Sequence, residues 1–310
     1  MVENWKKLKG ILCCPASLAT GLGEKSLDFD GESFFCGLNR YPINEFGIPN
    51  FRLPFDQDVF TSYDDILENF VSYKIETETA LENSKLSKEN ITGKVVLLTG
   101  VGAGTDIDWI LSLNPKMLVC LDYSNFINEV YKKYHQIGNI CFLIGDICDL
   151  PFYSETFDLI LSQGVIHHTR SPEIAFSCKV RTLRSEGKLS ISNLYSKNDH
   201  NQFVSMFRHK YKLHLKSREK AKKFIRWNSK LYYWIAKLGL ARIHRRFHFP
   251  GILHYASIER HSEEYFYANA ADFYLVFYRH LTSPEEVQFW CSRLHVSYER
   301  SLKGYLITKT

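Results

Sequence analysis

Short apolar runs alternate with amphipathic segments through the middle of the chain, and several of the runs end at glycine or aspartate. Runs of this length and composition are typical of buried strands, and the segments between them have helical spacing. The predicted strands are Val95–Thr99, Met117–Leu121, Cys141–Ile144, Phe157–Leu161 and Lys188–Asn193, and the predicted helices are Asp106–Leu113, Asn125–Gln136 and Pro172–Leu183. This alternation predicts an α/β fold, with a parallel sheet covered by helices on both faces.

The same alternation returns near the C-terminus. Ser283–Leu294 is predicted to be a helix, with Ser283 as its N-cap and Pro284 at its first position. His295–Leu302 and Tyr305–Thr308 are predicted to be two closing strands. With these two, the predicted sheet has seven strands.

Local amino-acid composition divides the chain into regions. Residues 1–52 are rich in glycine and proline, which favours small β-hairpins rather than helices. Residues 53–93 are polar and are predicted to be a helical linker. The core is predicted to comprise residues 94–197 and 271–310, interrupted by a basic and aromatic helical insertion at 198–270.

Composition narrows the class of protein. The chain has 310 residues, 45% of them hydrophobic and 24% charged, with a net charge of +5, which are the proportions of a globular protein. Its eight cysteines are scattered, as in a reduced intracellular protein rather than a disulfide scaffold. The sequence contains no run of 18 apolar residues, so we predict a cytoplasmic location without a transmembrane helix.

Gly100, Gly102 and Gly104 directly follow a predicted strand and open a predicted helix. Glycines at this place permit a tight turn and let a ligand approach the backbone closely. By itself the GxGxG pattern is weak, because it differs from the GxGxxG of dinucleotide sites and lacks the lysine of a phosphate-binding loop. An ordinary glycine turn therefore stays an alternative.

Two carboxylates follow the neighbouring strands. Asp122 ends the second strand, where it can accept hydrogen bonds from both hydroxyls of a ribose. Asp146 ends the third, where it can accept a hydrogen bond from an adenine amino group while Ile147 packs on the ring. Either aspartate alone could cap a turn. Because the glycines and both aspartates lie at the carboxyl ends of adjacent parallel strands, together they predict a ligand site there.

The segment Val95–Asn193 resembles the class I S-adenosylmethionine-dependent methyltransferases of the methyltransferase-11 type. The resemblance is carried by Gly100–Gly104, Leu121–Ser124, Gly145–Phe152, Phe157–Thr169 and Leu183–Leu189, in the family's order. It implies a Rossmann-like core, S-adenosyl-L-methionine as cofactor and S-adenosyl-L-homocysteine as product. The cofactor contacts that it implies are Gly100, Gly102, Gly104, Asp122, Tyr123, Asp146, Ile147 and Gln163.

The chain departs from the family in two places. Leu98 stands where the family usually carries Asp or Glu, and Ser185-Glu186 replaces a proline-glycine turn. Loss of the acidic residue could weaken cofactor binding or mark a non-catalytic S-adenosylmethionine-binding protein. Because Asp122 and Asp146 are intact, we expect an active enzyme.

Methyl transfer from a sulfonium needs positioning, and needs a general base only when the acceptor is a group of high pKa. His167 and His168 follow the fourth strand and are the candidate catalytic residues, as a base or as hydrogen-bond donors to substrate. The alternative for His167 is a packed polar residue that stabilises its loop. Tyr195 and Asn193, at the end of the fifth strand, are candidate substrate contacts.

The block Ala271–His280 is similar to a segment that a subgroup of the family carries on the substrate side. The resemblance makes Asp272, Tyr274, Tyr278 and His280 candidate substrate contacts. For the tyrosines, an aromatic plug that closes the core is an equal alternative.

The N-terminal segment resembles a zinc ribbon, with Cys13, Cys14 and Cys36 at its two knuckles. A ribbon needs four N or S ligands for Zn²⁺, and here Ser17 and Ser33 occupy two of the cysteine positions. We therefore predict a degenerate ribbon, held by packing, without a metal.

The basic and aromatic insertion has three interpretations. It could be a solvated lid, a surface for an anionic substrate or RNA, or an interfacial helix facing a membrane and a lipid-linked substrate. We expect methyl transfer to a small or lipid-linked metabolite. An RNA methyltransferase is less favoured, because Ser162–Val165 is unlike the Asn-Pro-Pro-Tyr tetrapeptide of base-methylating enzymes.

Overall fold

The computed structural model describes residues 4–53, 64, 67, 75–195, 206, 209, 218–247, 252–253 and 261–310. A sheet of seven strands forms its centre. Its strands are β4 (Val95–Thr99), β5 (Met117–Asp122), β6 (Ile140–Ile144), β7 (Phe157–Gln163), β8 (Leu183–Ser192), β9 (Val296–Arg300) and β10 (Gly304–Lys309). The order is β6-β5-β4-β7-β8-β10-β9, with β10 antiparallel to both of its neighbours and the other pairs parallel. The predicted Rossmann-like α/β fold is confirmed.

The strands of the parallel half are apolar along their whole length because both faces of the sheet are covered. All five residues of β4 are buried, and so are all five of β6. Side chains alternate between the faces with a period of two, so that Val96 and Leu98 join one hydrophobic core while Leu97 joins the other. This double burial explains why short apolar runs predicted these strands correctly.

Helices cover both faces of the sheet. They are α2 (Thr77–Ser84), α3 (Ile107–Ser112), α4 (Ile127–Tyr134), α5 (Pro172–Thr182) and α9 (Pro284–Arg293). The predicted cap of α9 is confirmed, since Ser283 Oγ accepts a hydrogen bond from the Glu286 amide at 3.3 Å. Glu286 in turn accepts one from the Ser283 amide at 2.6 Å, which completes a capping box. In the part of the chain that the structure describes, no helix has the length and apolar character needed to cross a bilayer.

The insertion contributes a third hydrophobic core. Its helices are α6 (Arg218–Lys237), α7 (Ala241–Phe247) and α8 (Glu263–Tyr274). Ile225 and Tyr232 of α6 pack in one buried cluster with Phe266 of α8. The boundary predicted between residues 270 and 271 falls inside α8, and the division into domains stays a prediction. Most of the predicted linker and of the stretch 196–217 lies outside the described residues.

The N-terminal segment forms three short antiparallel strands, β1 (Asp28–Phe29), β2 (Ser33–Cys36) and β3 (Asn39–Pro42). The prediction of hairpins without helices is only partly right, because a 3₁₀ turn at Asn4–Leu8 and helix α1 (Pro15–Ala19) precede them. Pro15 suits the first turn of a helix, where no amide hydrogen is needed.

This segment is joined to the central sheet at the edge strand β6. The Phe51 amide donates to the Ile144 carbonyl at 2.7 Å, and the Ile144 amide donates to the Pro49 carbonyl at 2.9 Å. The Cys13 amide likewise donates to the Pro151 carbonyl at 3.0 Å. Residues 4–53 therefore cover a sheet edge that would otherwise present unpaired backbone groups.

Candidate active site

A cavity of about 490 Å³ opens at the carboxyl end of the parallel strands. The glycine loop after β4 forms one wall, and α2 and the loop between β9 and β10 form others. The lining residues that matter for the chemistry are Gly100, Gly102, Ser84, Asp106, Gln163, Asn193 and Lys303. This is the edge at which open α/β sheets bind ligands, and where the glycine motif predicted a site.

The first glycine of the loop has no room for a side chain. Gly100 has a φ of +69°, and a Cβ there would lie 2.2 Å from a methyl group of Val165. Its amide donates to the Leu121 carbonyl at 2.8 Å, which draws the loop onto β5. The turn therefore brings bare backbone to the cavity wall.

Asp122, at the end of β5, holds the glycine loop from below. Its Oδ2 accepts a hydrogen bond from the Gly102 amide at 2.9 Å, and its Oδ1 accepts one from the Ser124 amide at 2.8 Å. Burial raises the pKa of this carboxyl, and the two amides oppose that effect. Each carboxylate oxygen can accept a further hydrogen bond, so the group remains able to receive hydroxyls.

Tyr123 follows in a small polar network. Arg52 donates to the Tyr123 carbonyl at 3.2 Å and to Asn125 Oδ1 at 3.0 Å. Asp64 accepts hydrogen bonds from Ser124 Oγ at 2.6 Å and from Asn125 Nδ2 at 3.1 Å. Residues from before the core thus fasten the loop that follows β5.

Asp146 is bound on both of its oxygens. Oδ1 accepts a hydrogen bond from the Cys148 amide at 2.7 Å, and Oδ2 pairs with Arg170 at 2.6 Å. The same guanidinium pairs with Asp149 at 2.8 Å. Ile147 is buried in the core, and neither Ile147 nor Asp146 is among the described residues that line the cavity. Asp146 combines turn capping with an ion pair, and its adenine contact stays a prediction.

Asp106 brings a carboxyl group to the cavity wall from the start of α3. One of its oxygens accepts a hydrogen bond from Trp109 Nε1 at 2.8 Å, and burial raises its pKa. Leu98, by contrast, is buried in the core on the face that carries α3. The cavity wall therefore carries a carboxyl group at residue 106, while residue 98 contributes only to the core.

Gln163 and Asn193 lie at the ends of β7 and β8, on the cavity wall. Gln163 Oε1 accepts a hydrogen bond from Ser192 Oγ, and its Nε2 lies 3.4 Å from Ser84 Oγ. The Asn193 amide donates to the Lys303 carbonyl at 3.0 Å. Two residues named from the sequence therefore meet the glycine loop in one cavity.

The second predicted group forms a cluster around His168. Nε2 of this ring lies 3.2 Å from Asp272 Oδ1, and Nδ1 lies 3.0 Å from the Tyr278 carbonyl. Tyr195 donates its hydroxyl to the other oxygen of Asp272. Burial alone would raise the pKa of Asp272, but His168 and Tyr195 hold it at about 2. Both nitrogens of His168 therefore lie within hydrogen-bond distance of acceptors inside the cluster.

His167 lies behind this cluster. It is 2% exposed, and its Nδ1 is buried and has no hydrogen-bond partner among the described residues. Its ring centroid lies 4.0 Å from that of Tyr195. Burial lowers the pKa of His167 well below its ordinary value, so the ring is neutral near pH 7. These properties agree with the alternative for His167 in the sequence analysis, a packed polar residue that stabilises its loop.

The other residues predicted to contact substrate lie in two different places. His280 joins the cluster through its amide, which donates to the His167 carbonyl at 2.9 Å, and through Nε2, which lies 2.9 Å from the Thr169 carbonyl. Tyr278 contributes its carbonyl to His168. Tyr274 is buried in the helical core of the insertion, as the aromatic-plug alternative expects.

Arg279 adds a positive charge to the cluster. Its guanidinium carbon lies 4.7 Å from the ring centroid of Tyr195 and 5.2 Å from that of Phe273. Two of its nitrogens, Nε and Nη2, are buried, and no residue in the described part of the chain forms a hydrogen bond with them. Such a group is able to receive an anionic oxygen.

A family model described as a methyltransferase domain matches residues 97–191, the part that carries the glycine loop and both aspartates. Over these residues the chain is similar to a methyltransferase domain. Two curated relatives are 29% identical to the chain: the tRNA U34 carboxymethyltransferase of Campylobacter fetus, over 37% of this chain, and the phthiotriol/phenolphthiotriol dimycocerosates methyltransferase of Mycobacterium leprae, over 35%. The chain spans 41% of the length of each relative.

Among solved structures, a protein of Methanococcus maripaludis assigned as an S-adenosyl-L-methionine-dependent methyltransferase is 16% identical, with a TM-score of 0.41. The comparison covers 82% of this chain and 88% of the other.

The sequence did not point to several polar residues around the cavity and the His168 cluster. They are Arg52, Asp64, Asp106, Arg170 and Arg279. Asp106 lies only two residues after the third glycine, so proximity to the motif could have singled it out. Asp64 and Arg52 carry no such signal, because they reach the site from a segment far away in sequence.

Cys14 is in contact with polar groups of the N-terminal segment. Cys14 Sγ lies 3.3 Å from the Tyr41 hydroxyl, and burial raises the pKa of Cys13 to about 12. Ser17 Oγ donates to the Cys14 carbonyl at 2.9 Å. Within the described ranges no cluster of three or more His, Cys, Asp or Glu could hold a metal ion. The resemblance to a degenerate zinc ribbon stays a prediction.

Proposed function

We propose that the protein transfers a methyl group from S-adenosyl-L-methionine to a small or lipid-linked acceptor. The observation that carries the proposal is the glycine loop tied by its Gly102 amide to the buried Asp122 carboxylate, beside a cavity of about 490 Å³. A cavity of this size, lined by backbone and a few polar groups, suits a small-molecule cofactor.

The residues present fit that cofactor. Gly100 leaves bare backbone where any Cβ would collide with Val165, and Asp122 keeps hydrogen-bonding capacity for ribose hydroxyls. Asp106 and Gln163 supply polar groups to the cavity for the amino-acid part. When bound, S-adenosylmethionine supplies a sulfonium methyl group: its S–CH₃ bond breaks as the bond to the acceptor forms, and S-adenosylhomocysteine leaves.

In this proposal His167 and His168 are positioning residues rather than general bases. His168 is bound by Asp272 and by the Tyr278 carbonyl, and His167 is buried and neutral. Neither is placed as a free general base, so we propose that the pair orients Tyr195 and Asp272. An acceptor that is already a nucleophile, such as an amine or a carboxylate, needs no further base.

Cofactor binding tests the first half of the proposal. Calorimetric titration of the purified protein with S-adenosylhomocysteine should give saturable binding, and Asp122→Ala should weaken it at least about ten-fold because the glycine loop loses its carboxylate partner. Asp28→Asn, an exposed carboxylate on β1, is the matched control and should bind as the parent does. Equal affinity in Asp122→Ala would contradict the site.

The acceptor class is tested with S-adenosylmethionine labelled in its methyl group. The protein is incubated with total cell extract, and label is counted in the lipid, small-molecule and RNA fractions. We expect label in the lipid or small-molecule fraction and none with Asp122→Ala. Label in RNA alone would favour the RNA methyltransferase. Cofactor binding without label in any fraction would favour the non-catalytic binding protein.

A further inference from the structure

Helix α6 carries an exposed stripe in which basic and aromatic side chains alternate. Lys223, Trp227, Lys230, Trp234 and Lys237 are spaced by three or four residues, so they lie on one face of the helix. Trp227 is 59% exposed and Trp234 is 51% exposed. Tryptophans this exposed are unusual unless a partner covers them.

Apolar residues are also exposed directly after α6 and on α7. Leu238, Ile243 and Phe247 are 70%, 45% and 69% exposed. The opposite side of α6 is already in use, because Ile225 and Tyr232 are buried there against α8. We name the exposed side of residues 220–247 the lid face.

The charge of the lid face has one sign. Among the described side chains of residues 219–247, seven exposed residues are basic and only Glu219 is an exposed acid. The ammonium group of Lys237 lies 4.9 Å from the ring centroid of Trp234, so charge and aromatic surface are interleaved. The face is therefore complementary to a surface that is negative outside and apolar beneath.

We propose that the lid face docks on the surface of an anionic phospholipid bilayer, with α6 and α7 lying in the plane of the interface. Tryptophan rings favour the headgroup region, and lysine stems can lie along the apolar boundary while their ammonium groups reach the phosphates. A helix that is strongly basic on its polar side and bears Trp, Leu and Phe is the recognised form of an interfacial helix.

The aliphatic residues favour a bilayer over RNA as the occupant. Nucleic-acid surfaces combine basic residues with aromatic rings on which bases stack. Leu238, Leu240 and Ile243 offer no ring to a base, yet they are exposed in the stretch that directly follows the tryptophans. Their transfer from water to the boundary of the acyl chains is favourable, because it removes their apolar surface from water.

Docking would bring the predicted acceptor residues to the membrane. The lid face lies on α6, which packs on α8, and α8 carries Asp272 in its contacts with His168 and Tyr195. The proposal rests on the proposed function in one respect only, since it selects the lipid-linked acceptor. The docking itself does not depend on methyl transfer.

Flotation of the full chain with phospholipid vesicles tests the proposal. The protein should float with vesicles of phosphatidylcholine and phosphatidylglycerol and bind pure phosphatidylcholine much more weakly. The double variant Trp227→Ser, Trp234→Ser should reduce binding about ten-fold or more, and Lys223→Gln, Lys230→Gln, Lys237→Gln should remove the preference for the anionic lipid. Binding should weaken with salt.

Two controls keep the test specific. Leu38→Ser and Phe289→Ser change exposed apolar residues outside the lid face and should bind vesicles as the parent does. Unchanged S-adenosylhomocysteine affinity in the lid-face variants shows that they are folded. If the chain binds vesicles but not S-adenosylhomocysteine, the proposed function fails and the docking stands.

The proposal is overturned if the parent does not float with anionic vesicles or if the tryptophan variant floats equally well. Titration with a single-stranded RNA completes the experiment. RNA binding that depends on Trp227 and Trp234, without vesicle binding, would assign the lid face to nucleic acid.

Discussion

Asp106 lies in the cavity wall where a bound ligand with an ammonium group would find a partner. Among the described residues, only Trp109 donates a hydrogen bond to the carboxyl group of Asp106, and burial raises the pKa of that carboxyl group. A cationic neighbour would relieve that cost, because an opposite charge at close range favours the ionised carboxylate. The amino-acid part of S-adenosylmethionine carries such an ammonium group.

We therefore expect Asp106→Asn to weaken S-adenosylhomocysteine binding about ten- to one-hundred-fold, roughly 1.5–3 kcal/mol, the scale of a charge-assisted hydrogen bond. Affinity for methylthioadenosine, which lacks the amino-acid part, should not change. Both dissociation constants are measured by calorimetry. Asp108→Asn is the matched control, because Asp108 is an exposed carboxylate on the same helix. Equal weakening of both ligands would show that Asp106 only supports the fold.

At this scale the sequence predicted those candidate site residues whose spacing along the chain carries information. Gly100, Asp122 and Gln163 follow strands at fixed offsets, and the structure places them in or against one cavity wall. Asp64 could not be found in this way, since its contact with Ser124 joins residues 60 positions apart. Long-range contacts of this kind are set by how the chain packs, and they leave no local pattern.

Helix α5 carries a buried charge that its amphipathic pattern does not explain. Lys179 is fully buried, its Nζ lies 3.5 Å from the Ala175 carbonyl, and burial lowers its pKa from 10.5 to about 8. Below pH 8 the ammonium is charged in the folded and the unfolded chain, so the folded state bears the full cost of burying it. Between pH 8 and 10.5 only the unfolded chain keeps the proton, so this contribution to stability rises with pH.

Lys179→Met should therefore stabilise the protein near neutral pH by up to about 3 kcal/mol, with the gain shrinking as the pH rises. The free energy of unfolding is measured with urea at about pH 7 and about pH 10, and parent and variant are compared at each. Lys132→Met, at an exposed lysine of α4, should give no such pH-dependent difference. A loss of stability at neutral pH would mean that the ammonium is needed.

At the scale of elements, the bounds of the strands agree closely with the predicted apolar runs where both faces of a strand are buried. The bounds of β4 coincide with the predicted run Val95–Thr99. Strand β8 begins at Leu183 rather than Lys188, because Leu183 pairs with Phe157 across a register shift in β7. The antiparallel return of β10 beside β8 has no counterpart in the local pattern, since it depends on which strand edge is vacant.

Across the whole molecule, the N-terminal segment and the central sheet share one hydrophobic core. Trp5, Phe34 and Phe51 belong to the same buried cluster as Val119 and Leu121 of the central sheet. The sequence predicted a separate small segment held by packing, and it could not show against what. The structure places its aromatic residues in one buried cluster with residues of the central sheet.

This arrangement predicts that the two parts unfold together. Phe34→Ala should cost about 3–5 kcal/mol, because a fully buried phenylalanine is removed from a shared core. Calorimetry should show one transition at a lower temperature, and chelation with EDTA should leave the parent's transition unchanged if packing rather than zinc holds the segment. Phe35→Ala, on the other side of β2, is the matched control and should cost less, since Phe35 is only partly buried.

An early transition that leaves S-adenosylhomocysteine affinity intact would instead make residues 4–53 an independent unit. The edge strand β6 would then need another cover, because the backbone hydrogen bonds between Pro49, Phe51 and Ile144 would be lost with that unit.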